Sequence, residues 1–213
     1  MNTKEKFLVT INRELGSGGR SVGRKLAQRL GVRFYDKVQL EGLVKEYRLS
    51  EEQIEQIKAR KNNWWTEFCD RVSRAPGADF YRPDENGIPE LITTDDLFQS
   101  ESRILREIAA EESCVVAGRA AFFVLKSHPN KLRVFIQASL ANRMERVMRK
   151  QGLTEEAAAA VIERVDAGRE TYTRQYAGVT RYDARNYDLV INMDGITVDD
   201  AVDIIMEYIK RSE

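Results

Sequence analysis

Three glycines, an arginine and a serine stand close together near the start of the chain, in a pattern suited to anion binding. Gly16, Gly18 and Gly19 precede Arg20 and Ser21 in the stretch LGSGGRS. Glycines let the backbone fold tightly, so that main-chain N–H groups can surround a phosphate. The arginine and the serine add a positive charge and a hydroxyl. The alternative is a tight turn that uses its glycines for structure alone.

A phosphate loop of the pattern G-x-x-x-x-G-K-[ST] fits this stretch in part. Gly19 and Ser21 match the second glycine and the hydroxyl, but Glu14 stands at the first glycine. Arg20 stands at the lysine, and its charged fork also suits phosphate oxygens. The competing interpretation is a dinucleotide fingerprint G-x-G-x-x-G, with Asp36 as the ribose-binding acid. Ser21 stands where that fingerprint has its third glycine.

The segments on either side of the glycines predict a strand, a helix and a second strand. Residues 7–11 form a short apolar run rich in β-branched side chains, typical of a buried strand. Apolar residues recur at helical spacing over 22–30, and Gly31 is expected to end that helix. Residues 32–35 predict another strand, which ends at Asp36. This order is typical of a parallel α/β unit.

Further along the chain, three more apolar runs alternate with helical patterns. The strand candidates are Cys114–Ala117, Leu132–Ile136 and Tyr187–Ile191, and the helix candidates are 97–108, 140–150, 155–176 and 199–210, with Thr197 as the N-cap of the last. Five short strands that alternate with helices predict an α/β fold with a five-stranded, mainly parallel sheet, covered by helices on both faces.

Composition narrows the classes of function. Of 213 residues, 42% are apolar and 32% charged, and 34 Lys and Arg balance 34 Asp and Glu. This balance argues against a nucleic-acid coat or a polybasic membrane patch. The apolar run near the start is too short for a signal peptide or a membrane span. The charge balance and the short apolar run together predict no nucleic-acid or membrane partner. Cys69 and Cys114 lack CxxC spacing, so we expect a reducing, cytoplasmic setting.

Several arginines lie where they could meet an anionic ligand. Arg119 directly follows a predicted strand, and ligands of parallel α/β sheets bind at the carboxyl ends of strands. Arg143 and Arg146 share an arc of one predicted helix. A later helix carries four charged residues that could fold over phosphates: Glu163, Arg164, Asp166 and Arg169. For the helical residues, a solvated helix face is the alternative interpretation.

Taken together, these segments resemble the cytidylate kinase-like branch of the nucleoside monophosphate kinases over nearly the whole chain. The stretch TINRELGSGGRSVGRKLAQRLGVRFYD resembles the phosphate loop, first helix and second strand of that family. The stretch VVAGRAAFFVLKSHPNKLRVFIQASLANRMERV resembles its GRD segment, and YDLVINMDGITVDDAVDIIMEYI resembles its last strand and helix. The resemblance implies a P-loop kinase domain over 1–213, with an acceptor-binding insertion at 38–100 and a lid at about 151–184.

The resemblance also implies a reaction and a set of site residues. The family transfers the γ-phosphoryl of ATP, with Mg²⁺, to a pyrimidine nucleoside monophosphate. ATP phosphates would contact Gly16, Ser17, Gly18, Gly19, Arg20, Ser21, Arg143 and Arg146, with Ser21 as the magnesium ligand. The acceptor would contact Asp36 and Arg119, and the lid would carry Glu163, Arg164, Asp166 and Arg169. Catalysis would fall to Arg20, Asp166 and Arg169.

Three positions depart from the family pattern. Arg20 replaces the loop lysine, Ala120 replaces the aspartate of GRD, and Ile162 replaces the first lid arginine. The acceptor is therefore expected to be a CMP-like nucleotide or a related small molecule. Two other hypotheses stay open: a non-catalytic nucleotide sensor of the same fold, and a dinucleotide-dependent oxidoreductase.

Overall fold

The computed structural model describes residues 1–37, residue 40 and residues 95–212. The chain divides into two compact units, Met1–Tyr35 with Leu105–Glu213, and Asp36–Ile104. Most of the predicted insertion at 38–100 lies outside the described residues, so its role in acceptor binding stays a prediction. The division into a single domain with an insertion and a lid likewise stays a prediction.

The first unit is built on a sheet of five parallel strands in the order β2-β3-β1-β4-β5. The strands are β1 (Leu8–Arg13), β2 (Arg33–Tyr35), β3 (Cys114–Ala117), β4 (Lys131–Gln137) and β5 (Leu189–Asn192). The predicted five-stranded parallel sheet is confirmed. In a dinucleotide-binding fold the first two strands are neighbours. Here β3 lies between them, which argues against the oxidoreductase hypothesis.

Helices cover both faces of this sheet. The helices of the described residues are α1 (Gly19–Leu30), α2 (Asp95–Glu111), which extends from the second unit into the first, α3 (Ala121–Val124), α4 (Leu140–Gln151), α5 (Glu155–Ala177) and α6 (Val198–Ser212). On one face, apolar side chains of α1 and α6 pack against Val9, Ile11 and Val134. On the other face, Phe135 packs with residues that follow β3 and precede β5. Neighbouring residues of one strand therefore point into two different cores.

The ends of the helices follow from local sequence. Gly31 takes a left-handed φ of 68° after α1, and its N–H donates to carbonyls of the last turn. Thr197 caps α6, because its hydroxyl accepts from Asp200 N at 3.1 Å while Asp200 Oδ2 accepts from Thr197 N at 2.8 Å. Both predicted helix ends are confirmed.

The last strand begins later than the sequence predicts. It starts at Leu189 instead of Tyr187, because Tyr187 closes a 3-10 turn by donating its N–H to the Ala184 carbonyl at 3.0 Å. The ring of Tyr187 is buried against Phe122 and Phe135. The short helix α3, which begins soon after β3, was not predicted from the sequence.

Candidate active site

The glycine stretch forms a tight loop between β1 and α1, at the carboxyl edge of the sheet. Gly16 and Gly18 have φ angles of 83° and 89°, which side-chain-bearing residues rarely adopt. A Cβ on Gly16 would lie 2.6 Å from the Arg143 carbonyl oxygen, and one on Gly18 would lie 2.6 Å from Arg146 Nη1. Helix α4 therefore packs directly against the loop. Gly16 is required both by its φ angle and by the backbone of Arg143, whereas Gly18 is required mainly by its φ angle, because the Arg146 side chain can move.

The N-terminus of α1 is open toward this loop. Gly18 is its N-cap residue and offers no side-chain acceptor, and its first turn contains no acidic residue. The first N–H groups of a helix have no acceptor within it, and the helix dipole adds partial positive charge there. Arg20 and Ser21 lie in this first turn and are half-buried. This arrangement has the geometry of a phosphate-binding site.

Hydrogen bonds of Glu14 and Ser17 hold the loop in its conformation. The buried hydroxyl of Ser17 donates to the Glu14 carbonyl at 2.9 Å. The carboxylate of Glu14 accepts from the backbone N–H of Ala138 at 3.2 Å, and Glu14 N donates to the Ile136 carbonyl at 3.1 Å. The hydroxyl of Ser17 thus closes the turn, and its predicted contact with ATP phosphate stays a prediction.

Asp166 of helix α5 is the centre of a buried cluster of charges beside the loop. Its carboxylate accepts from Leu15 N at 3.0 Å and from Arg143 Nη1 at 2.6 Å. It also accepts from Arg169 Nη1 at 3.2 Å and from Arg181 Nη1 at 3.3 Å. One carboxylate therefore joins the glycine loop, α4, α5 and the segment that precedes β5.

Among the described residues, this cluster contains more positive than negative charges. Three guanidiniums face the carboxylate of Asp166 and that of Glu14, whose Oε2 lies 3.8 Å from Arg143 Nε. Among the described residues, the buried Nε atoms of Arg143 and Arg181 have no hydrogen-bond partner. A buried cationic group without full compensation favours an anionic ligand. The excess lies beside the open end of α1.

Arg181 is the main residue of this cluster that sequence reasoning missed. Its side chain is fully buried, with 0% exposure. Besides Asp166, it donates through Nη2 to the Arg13 carbonyl, which also accepts from Arg169 Nη1 at 3.3 Å. Arg181 lies in a loop, where no periodic pattern marks a buried residue, so the sequence carried no signal for it.

Arg146 borders a small cavity on the other side of the loop. The cavity has a volume of about 160 Å³ and is lined by Gly16, Ser17, Ala138, Asn142, Glu145, Arg146, Arg149 and Met193. Burial, and to a smaller extent the nearby charge of Arg149, lower the pKa of the Arg146 guanidinium below its ordinary value. A larger cavity of about 700 Å³ lies between the end of α1 and α6, away from the glycine loop.

Arg119 stands on an unusual backbone at the end of β3. Gly118, Arg119 and Ala120 have φ angles of 86°, 55° and 50°, so three successive residues are left-handed. The guanidinium of Arg13 fills the space that a Cβ on Gly118 would need. The Arg119 guanidinium lies 5.7 Å from the ring centroid of Tyr172. Left-handed non-glycine residues are strained and concentrate at functional sites.

The structure brings most of the predicted site residues together. The glycine loop, Arg20, Ser21, Arg143, Arg146, Asp166 and Arg169 all lie around the start of α1. Glu163 and Arg164 are exposed on α5, whereas Asp166 is buried. Ile162 is buried against Val147 and Ala158, so an apolar contact between α4 and α5 replaces the family's lid arginine. Asp36 is buried and belongs to the second unit. The assigned roles stay predictions.

The described residues contain neither a preformed metal cluster nor a membrane-spanning helix. Within them, no group of three or more His, Cys, Asp or Glu side chains could hold a metal ion. Across the same residues, no helix is long and apolar enough to cross a membrane. His128 contacts its own loop, where its Nδ1 accepts from Asn130 N at 3.3 Å.

The sheet order and the glycine loop define the class of a P-loop kinase fold. Shikimate kinase from Bacteroides thetaiotaomicron has a similar fold, with a TM-score of 0.50 and 13% identity over 96% of this chain and 98% of that chain. An uncharacterized protein from Eubacterium ventriosum is more similar, with a TM-score of 0.70 and 25% identity over 96% of this chain and 98% of that chain.

Within that class, the chain belongs to the cytidylate kinase-like family, whose model matches residues 8–195. A cytidylate kinase from Pyrococcus horikoshii is 26% identical over 190 residues, which cover 89% of this chain and 81% of that protein. Other curated matches are partial. The matched stretches cover 45% of a cytidylate kinase from Thermococcus sibiricus and 20% of a uronate isomerase from Corynebacterium glutamicum. Family and fold together support a nucleotide or small-molecule kinase.

Proposed function

We propose that this protein transfers the γ-phosphoryl group of ATP, with Mg²⁺, to a nucleoside monophosphate of the CMP type or to a related small acceptor. One observation carries the proposal: a glycine loop faces the open N-terminus of α1 beside a buried cluster with excess positive charge. Phosphoryl transfer requires mainly positioning and charge neutralisation from a protein, and these residues would supply both.

The donor phosphates would bind in the glycine loop. Backbone N–H groups of the loop and of the first turn of α1 would hold the β-phosphate, because the helix dipole favours negative charge there. Magnesium bound with the triphosphate supplies charge neutralisation, and Ser21 is the protein hydroxyl that would hold it. The glycine loop supports this assignment, because its tight turn and the first turn of α1 leave backbone N–H groups for the phosphates.

Arginines would neutralise the transferring phosphoryl group. Arg20 stands in the first turn of α1, where its fork would contact the β- and γ-phosphates. Arg169 would close over the same group, positioned by its hydrogen bond to Asp166. Arg143 and Arg146, whose helix presses on the loop, would hold the donor from α4. Exclusion of water by the lid helix would protect the transferring group.

The acceptor would approach from the end of β3. Arg119 lies two residues after that strand, and β3 is the parallel neighbour of β1, which leads into the glycine loop. Arg119 would therefore fix an anionic acceptor in line with the γ-phosphate. The acceptor contact assigned to Asp36, in the second unit, stays a prediction. Ala120 and Ile162, which replace charged family residues, favour an acceptor that need not be cytidylate itself.

A coupled assay of ADP release tests this function. ATP and Mg²⁺ are combined with CMP, dCMP, UMP, AMP, GMP or small alcohols in turn. The proposal expects one acceptor to raise ADP release well above the rate with ATP alone. Uniformly low release with every acceptor, together with normal ATP binding, contradicts it. That result favours a non-catalytic nucleotide sensor, the hypothesis to which the missing loop lysine at Arg20 points.

A further inference from the structure

Arg181 is a buried arginine to which the proposed reaction assigns no role. It lies in the segment between α5 and β5, and its backbone is tied down on both sides. Glu170 Oε2 accepts from Arg181 N at 3.0 Å, and the Tyr187 hydroxyl donates to the Arg181 carbonyl at 2.7 Å. The guanidinium lies 5.8 Å from the ring centroid of Phe135. A buried charge is costly, so its partners must account for its presence.

The two ends of the guanidinium fork reach two parts of the site. Nη1 donates to Asp166 Oδ1 at 3.3 Å, and Nη2 donates to the Arg13 carbonyl, where the phosphate loop begins. The same Asp166 oxygen accepts from Leu15 N, inside the loop, at 3.0 Å. Arg181 therefore fixes the carboxylate of α5 relative to the start of the loop. The planar fork gives this link a defined direction.

Arg169 binds the same two acceptors, but from a more exposed position. Its Nη1 donates to Asp166 Oδ1 at 3.2 Å and to the Arg13 carbonyl at 3.3 Å. The side chain of Arg169 is 20% exposed, whereas that of Arg181 is 0% exposed. If Arg169 turned toward a phosphate, Arg181 would still donate to both acceptors. Neither oxygen would then be left without a donor, a loss that would otherwise oppose the movement.

We propose that Arg181 is a positioning residue for phosphoryl transfer. It holds Asp166 and the start of the phosphate loop in place, so that Arg169 can exchange between the carboxylate and the transferring group. This inference rests on the proposed function for its effect on rate, but its structural part concerns Leu15 and Asp166 alone.

The Arg181→Lys variant tests the proposal. Lysine keeps the positive charge, but its single ammonium cannot bridge Asp166 and the Arg13 carbonyl as the fork does. We expect kcat to fall about tenfold, the scale of one lost hydrogen bond to a charged group, while the KM for ATP changes by less than about twofold. Amide exchange at Leu15, followed by NMR without ligand, should become faster.

Arg133→Lys is the matched control. Arg133 also makes a two-pronged pair, with its Nε and Nη2 3.1 Å and 2.7 Å from the Asp188 carboxylate, outside the Asp166 cluster. This control should leave kcat and Leu15 exchange at the parent values. A loss of kcat in both lysine variants overturns the specific role of Arg181.

Tyr187→Phe keeps the test decisive if Arg181→Lys fails to fold. It removes the hydroxyl that donates to the Arg181 carbonyl and accepts from Asn12 Nδ2 at 2.7 Å. We expect the same changes in kcat and Leu15 exchange, at about two- to threefold. Unchanged Leu15 exchange in both site variants overturns the proposal. If the parent itself transfers no phosphate, the proposed function fails, and Leu15 exchange alone decides the positioning role.

Discussion

The loops after β1 and β3 leave the sheet side by side, and both contain left-handed residues. They differ in the types of residue that adopt this conformation. After β1, the left-handed positions are Gly16 and Gly18, which adopt positive φ without strain. After β3, positive φ falls on Arg119 and Ala120 as well as on a glycine. The first loop is relaxed but tightly enclosed by α4, whereas the second carries strain and directs an arginine side chain.

This difference matches the two tasks that we propose for the two loops. A phosphate cradle works through backbone N–H groups, so it needs close approach and no side chains in the way. We propose that recognition of the acceptor works through the side chain of Arg119, where left-handed strain of about 1–3 kcal/mol is tolerated. The two loops should therefore respond differently to substitution.

The largest effect is expected when a side chain is added at Gly16, in the loop that we propose to bind phosphate. In the Gly16→Ala variant, the new Cβ would meet backbone atoms of Arg143 that cannot move cheaply, and φ would be strained as well. ATP with Mg²⁺ should then give no thermal stabilisation, and the free energy of unfolding should fall by more than the roughly 1–2 kcal/mol that a left-handed alanine costs. Differential scanning calorimetry with and without ATP measures both.

Gly152→Ala is the control for that variant. Gly152 has a similar φ of 66° at the end of α4, but nothing lies within 4 Å of a Cβ placed there. It should show the conformational cost alone and keep its stabilisation by ATP. Equal behaviour of the two alanine variants would mean that the loop after β1 is an ordinary turn.

Removal of the charge at Arg20 comes next. The Arg20→Ala variant should lose about 2–4 kcal/mol of transition-state stabilisation, mostly in kcat, which is typical of one electrostatic donor. ATP should still bind, more weakly, because the backbone cradle and the helix dipole remain. Steady-state kinetics of this variant and of Arg20→Lys, which should keep substantial activity, measure the effect. An unchanged kcat in Arg20→Ala refutes the role of this side chain.

A smaller and more selective loss is expected at the end of β3. Arg119→Ala should raise the KM of the acceptor about ten- to a hundredfold, as a charge-assisted contact of roughly 1.5–3 kcal/mol is lost. The KM for ATP should change far less, since the donor cradle lies in the other loop. Initial rates over a grid of both substrates separate the two constants. Equal increases in both would erase the proposed division between the loops.

The smallest effect is expected at Ala120. The Ala120→Gly variant relieves left-handed strain of about 1–2 kcal/mol, but it loses a buried methyl group and frees the unfolded chain, which cost about as much. The free energy of unfolding, measured in urea, should therefore change by less than about 1 kcal/mol. A loss well above that value would show that Ala120 is held by packing and carries no strain.

The sequence predicted the fold well because its signals are local. Each strand is a short apolar run between turn residues, and helix ends are marked by Gly31 and by the Thr197 cap. Tyr187 was wrongly assigned to a strand. Aromatic residues are common in strands, but the ring of Tyr187 packs into the core that contains Phe122 and Phe135. Packing between segments far apart in the chain leaves no mark on local periodicity.

The sequence could group candidate site residues mainly where they share a loop or a helix face, and their roles stay predictions. The glycines, Arg143, Arg146, Asp166 and Arg169 were found in this way. Arg181, Glu14 and the carbonyl of Arg13 were missed, because their contacts join segments far apart in the chain. The bond from Leu15 N to Asp166, for example, spans 151 positions. Sequence spacing cannot indicate a contact that only the sheet order creates.

Titration of the parent protein with ATP and Mg²⁺, followed by its unfolding temperature, tests the central claim most directly. The loop after β1 is claimed to be a working phosphate cradle, so a ligand at 100 times its Kd should add about 2.7 kcal/mol to the free energy of unfolding. Unfolding should therefore shift upward with ATP–Mg²⁺ and stay unchanged with NAD(H). No shift at millimolar ATP–Mg²⁺, beside a clear shift with NAD(H), would contradict the account.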